Sequence, residues 1–65
     1  MKLIRIKDLI KIITKDGWKK SDQTGSHLQY QHPNKKGKVT ISAHRLGNTV
    51  PMGTQIKILK QAGII

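Results

Sequence analysis

The sequence predicts an α+β domain of element order α-β-β-β-α, with two helices covering one face of a three-stranded antiparallel sheet. Three observations carry that reading. Apolar residues near the start recur at helical spacing, a central stretch alternates apolar and polar residues, and helical spacing returns after a proline near the end. A chain of 65 residues makes one domain at most, residues 1–65.

The first helix is expected over residues 5–16. Ile6, Leu9, Ile10 and Ile13 stand at i, i+3, i+4 and i+7, while Lys7, Lys11 and Lys15 occupy another face. Gly17 follows as a C-terminal cap. Trp18 opens a first strand over residues 18–23, whose alternation is poor, and Thr24-Gly25 signals a turn. A second strand spans residues 26–32, with Leu28 and Tyr30 on one face and His27, Gln29 and Gln31 on the other. Residues 33–37 have the composition of a hairpin loop. The third strand places Val39, Ile41 and Ala43 inward and Lys38, Thr40, Ser42 and His44 outward. An irregular loop follows over residues 45–53, centred on Gly47-Asn48. Pro51 sets the entry to a final helix over residues 53–62, ended by Gly63. Its apolar stripe is Ile58, Leu59 and Ala62, with Ile56 at the margin. One sheet face meets the helices and the other is wet, as antiparallel sheets allow.

Composition narrows the function classes. Thirteen Lys and Arg stand against three Asp and no Glu, a net charge of +10 that implies a polyanionic partner, nucleic acid above all. The basic residues are spread from Lys2 to Lys60, which argues against a polybasic membrane anchor, while an acidic protein partner suits the same charge. Cysteine is absent, which excludes disulfides and cysteine-ligated zinc. The apolar residues near the start are interrupted at Arg5, Lys7, Asp8 and Lys11, unlike a signal peptide, so a cytoplasmic location is expected. No apolar run reaches the roughly 18 residues a membrane-spanning helix needs. With one Trp, one Tyr and no Phe, Ile and Leu must build most of the core. That core is small, because a chain this short buries only about 60% of its unfolded surface.

Gly25-Ser26-His27 is the segment that carries chemistry. If Leu28 and Tyr30 face the core, His27 must face water. Gly25 and Ser26 leave the backbone before it lightly covered, so a phosphate can approach closely. Pairing Leu28 with Ala43 and Tyr30 with Ile41 puts His27 opposite His44 and is the preferred register. A shift by two residues puts it opposite Ser42 instead. His32 faces the core side and precedes Pro33, which suits a structural role. His27 and His32 differ by an odd number of positions and lie on opposite strand faces, so neither a shared metal nor a cofactor is expected.

Cutting RNA needs a base for the ribose 2′-hydroxyl proton, an acid for the leaving 5′-oxygen, and cations for the charge on phosphorus. Histidine titrates near neutral pH, so His27 suits either proton role. Lys38 is the lysine that strand position favours for holding the phosphate, and Ser26 can add a hydrogen bond. DNA lacks the 2′-hydroxyl, so this equipment acts on RNA. Asp8, Asp16 and Asp22 are scattered and offer no paired carboxylates, and no phosphate-cradling glycine motif is present. The rival reading is a non-catalytic basic module that binds RNA without cutting it.

The segments Lys15-Asp16-Gly17-Trp18, Gly25-Ser26-His27, His32-Pro33, Val39-Thr40-Ile41 with His44, and Pro51-Met52-Gly53-Thr54 leading to Ile58-Leu59-Lys60-Gln61-Ala62-Gly63 span nearly the whole chain. In these it resembles the HicA family of small bacterial ribonuclease toxins. The resemblance implies a fold like a double-stranded-RNA-binding domain and translation-independent cleavage of mRNA, with His27 as the catalytic residue. By the residues themselves no metal is needed, and Gly25, Ser26, Lys38 and His44 lie along the RNA. A HicB-like antitoxin that covers the active site is the implied protein partner. The chain departs from the family at Leu28, where many members carry a second histidine. It departs also at Gly47-Asn48, often a lysine and an acidic residue, and at Gln55, commonly apolar.

Overall fold

A computed structural model of the chain describes residues 2–65. It contains α1 (Ile6–Lys15), β1 (Lys19–Thr24), β2 (His27–His32), β3 (Lys35–Ser42) and α2 (Met52–Gln61), and the antiparallel sheet has the order β1-β2-β3. The predicted α-β-β-β-α architecture is therefore the observed one.

The helical faces form as the spacing predicts. In α1, Leu9 and Ile13 are buried, and Ile6 and Ile10 pack beside them. The helix ends where Gly17 adopts φ 110°, with Gly17 N–H donating to Thr14 C=O (3.1 Å) and Trp18 N–H to Ile13 C=O (3.1 Å). That pair of bonds is a Schellman motif. A Cβ at position 17 would come within 2.7 Å of His32 Nε2, so glycine is required for space as well as for conformation. The same double bond closes α2, from Gly63 to Lys60 and from Ile64 to Leu59, each 3.0 Å.

The start of α1 has no side-chain cap. Its free N–H groups find backbone carbonyls instead: Ile6 N–H donates to Asn48 C=O (2.9 Å) and Lys7 N–H to Leu46 C=O (3.0 Å). Val50 N–H donates back to Ile4 C=O (2.9 Å), and Arg5 pairs with Thr49 as an isolated bridge. The segment expected to be irregular is thus strapped to the front of α1.

One hydrophobic core joins both helices to the sheet. Leu9, Ile13, Trp18, Tyr30, Val39, Ile41, Val50, Ile58, Leu59 and Ala62 are its buried members. Trp18 does not begin β1; it lies in the core, where its indole N–H donates to Ala62 C=O (3.2 Å). Gln55 stands among these apolar groups and is only 1% exposed. Its side-chain carbonyl accepts from Ile4 N–H (2.9 Å) and its amide donates to Lys2 C=O (2.8 Å). Both ends of the amide are satisfied, which is the condition for burying it.

The sheet corrects two expectations. The second hairpin is not a five-residue loop: His32 pairs with Lys35 across a turn of Pro33 and Asn34, and Lys35, Lys36 and Gly37 belong to β3. An irregularity between Tyr30 and His32 then sets the register as Leu28 with Ile41, Tyr30 with Val39, and His27 with Ser42. His27 therefore faces Ser42 and not His44. The inward set of β3 is Val39 and Ile41, and Ala43 lies half-buried beyond the strand end.

At the far end of the molecule, Lys35 gathers the C-termini of both helices. Its ammonium reaches the Asp16 carboxylate (2.6 Å) and Ala62 C=O (2.9 Å). The Lys35 hydrogen bond holds the Asp16 carboxyl below its ordinary value of 3.8. Both side chains are about one-third exposed, at 33% and 32%, so water and salt screen the pair.

Two measurements test this frame. Gln55→Leu strands Ile4 N–H and Lys2 C=O, and is expected to lower stability by about 1–3 kcal/mol, read from the urea midpoint. A depressed carboxyl stabilises the fold above its unfolded value and loses that contribution as pH falls through the folded one. On acidification below 3.8 the parent should therefore lose stability more steeply than Asp16→Asn, and parallel urea curves for the two proteins would contradict it.

Candidate active site

The hairpin between β1 and β2 delivers His27. Thr24 pairs with His27 across Gly25 and Ser26, and only Gly25 has positive φ (58°), the arrangement of a type II′ turn. A Cβ on Gly25 would meet nothing within 4 Å, so the turn tip is open to solvent and to a ligand. His27 begins the central strand with Thr24 on one side and Ser42 on the other, and its ring is exposed.

His44 reaches the same place by another route. Beyond Ser42 the pairing continues for one more bond, Ala43 N–H to Ser26 C=O at 2.7 Å, and the chain then bends. The bend brings the His44 ring to 6.5 Å from the His27 ring, centroid to centroid, with an interplanar angle of 72°. His44 Nε2 lies 3.4 Å from Ser26 Oγ. Two imidazoles and a hydroxyl thus converge although the strand register does not oppose the histidines.

A recess of about 530 Å³ opens beside His27. Its apolar wall includes Leu9, Ile41 and Ile58, and its polar groups include Thr40, Ser42, Thr54 and Lys57. Lys57 is the cation that this geometry adds and that strand reasoning missed. Thr54, Lys57 and Gln61 recur at i, i+3 and i+7 of α2, and that spacing beside the apolar stripe was the available signal. Lys38 is exposed on β3 but lies four residues from Ser42, about 13 Å along the strand, and so is not next to His27. Gln61 donates to Lys38 C=O and holds α2 against that part of β3.

The third histidine is structural. His32 packs edge-on to Trp18 with centroids 5.3 Å apart, and its side chain is 8% exposed. Nδ1 accepts from Asn34 N–H (3.0 Å), so Nε2 carries the proton donated to Asp16 C=O (2.8 Å). Both ring nitrogens are thereby used. Among the described residues no three His, Cys, Asp or Glu side chains cluster as a metal site would need.

The site thus lies on a small, strongly basic domain of double-stranded-RNA-binding-domain-like fold, with two imidazoles converging at one end of its sheet. The family model described as HicA toxin of bacterial toxin–antitoxin matches residues 6–64, and the chain belongs to that family. Membership makes it the toxin half of a toxin–antitoxin system, with a cognate antitoxin as its partner. A search of curated proteins finds no match. No helix among the described residues is long and apolar enough to cross a membrane.

Proposed function

We propose that this toxin is a metal-independent endoribonuclease of a type II system, cleaving mRNA in the cytoplasm with His27 as its catalytic histidine. The observation that carries the reading is an exposed imidazole at the mouth of a recess that also holds a lysine. His27 takes the proton of the ribose 2′-hydroxyl, whose oxygen attacks the neighbouring phosphorus and displaces the 5′-oxygen. Lys57, within the recess, is placed to meet charge developing on the phosphate. Gly25 and Ser26 let the RNA backbone approach, His44 contacts it beside them, and Lys38 holds a phosphate farther along β3. A HicB-like antitoxin whose acidic groups meet this surface would cover His27 and silence the toxin.

The net charge of +10 also favours the simpler reading of an RNA-binding module without chemistry. Incubating the purified chain with a labelled transcript in chelator separates the two. The parent is expected to cut, and His27→Ala to lose activity by at least about 100-fold, the usual contribution of one acid–base group. RNA affinity should be nearly unchanged in that variant, because His27 is one exposed group on a surface of many cations. A variant that degrades the transcript as fast as the parent removes His27 from the chemistry. Affinity should also fall steeply and log-linearly with salt, since each phosphate contact releases counterions. A flat salt dependence would mean that the basic surface is not the RNA footprint.

A further inference from the structure

We propose that His44 is the second proton-transfer group of this site, the acid that protonates the leaving 5′-oxygen while His27 receives the 2′-hydroxyl proton. The inference rests on the ribonuclease reading and extends it from one catalytic histidine to two. Cleavage by a 2′-hydroxyl requires both a base and an acid, and the acid must stand on the opposite side of the phosphorus. The two exposed rings stand 6.5 Å apart and nearly perpendicular on one open surface, so a phosphodiester lying across them meets both.

Hydrogen bonding divides the roles. His44 Nε2 lies beside Ser26 Oγ at 3.4 Å; in the acid form both ring nitrogens carry a proton, so Nε2–H faces the hydroxyl oxygen and Nδ1–H is the proton to be given. Ser26 is then a positioning residue, itself anchored because its carbonyl accepts from Ala43 N–H at 2.7 Å. The His27 ring makes no hydrogen bond to the other described residues, so a ring nitrogen is free to accept. Asp16 does not compete for the acid role, since it is paired with Lys35 at the other end of the molecule. Arg45 stands next to His44 in the chain, and Lys57 shares the recess lining with His27.

The step balances without a co-reactant. The 2′-oxygen bonds to phosphorus as the bond from phosphorus to the 5′-oxygen breaks. The 2′ proton passes to His27, and the His44 proton passes to the departing oxygen. The products are a 2′,3′-cyclic phosphate and a free 5′-hydroxyl, and the two rings recover their starting protonation by exchange with water.

Replacing the leaving oxygen by sulfur tests the assignment, because a thiolate departs without being protonated. A site is first mapped with the parent on a transcript. It is then placed in an oligonucleotide with a single unblocked 2′-hydroxyl, in a 5′-oxygen and a 5′-sulfur version. His44→Ala, and His44→Gln which keeps a polar group beside Ser26, are expected to cut the oxygen substrate at least about 100-fold more slowly than the parent. Both should cut the sulfur substrate near the parent rate, whereas His27→Ala stays slow on both. Loss on both substrates alike, or no loss at all, would overturn the proposal and leave His27 cleavage intact. Rescue of His27→Ala instead reverses the roles and overturns the assignment. A parent inert on every transcript overturns the ribonuclease reading, and this inference with it.

Discussion

The pairing of β2 with β3 is the constraint on which the rest depends. Tyr30 and Val39 face each other, as do Leu28 and Ile41, and three of those four side chains are buried. Side chains in a strand alternate faces, so a slip by one residue would drive Tyr30 into water and His27 into the core. Burial of one apolar set therefore compels exposure of the histidine. No separate device is needed to present His27; the core presents it.

What the sequence revealed follows from how strongly burial marks each element. Both helices carry apolar stripes, β3 buries alternate residues, and β2 buries Tyr30 two residues from half-buried Leu28, so their spacing is visible in the chain. All six residues of β1 are exposed, and a strand with no buried face leaves no alternation to read. The second hairpin misled for a related reason. Lys35, Lys36 and Gly37 are polar or small and look like loop, yet their backbone continues the ladder from Lys35. Loop length fixes register in a hairpin, so the error there moved His27 by two residues relative to β3. Periodicity also has nothing to say about Gln55, whose burial depends on meeting the backbone of residues 2 and 4.

The site was legible in part. Gly25, Ser26 and His27 stand together in the chain, and local turn chemistry keeps them together in space. His44 meets them by way of a backbone bond from Ala43 and a bend, not by the cross-strand pairing that first suggested it. Lys57 comes from α2, thirty residues beyond His27 (57 minus 27), and only packing brings it to the same recess. Helical spacing shows that Thr54, Lys57 and Gln61 share a face, but which recess that face meets is decided in three dimensions.

The strap between the loop after His44 and the first residues has a mechanical consequence. Ile4 accepts from Val50, Asn48 and Leu46 accept from the opening of α1, and Gln55 clasps residues 2 and 4 from the helix that bears Lys57. Loosening of residues 2–7 would thus pass through the strap to the recess. The strap itself supplies part of the recess wall, through Ile6, Thr49 and Val50, so a change that touches no histidine still reshapes the end that bears them.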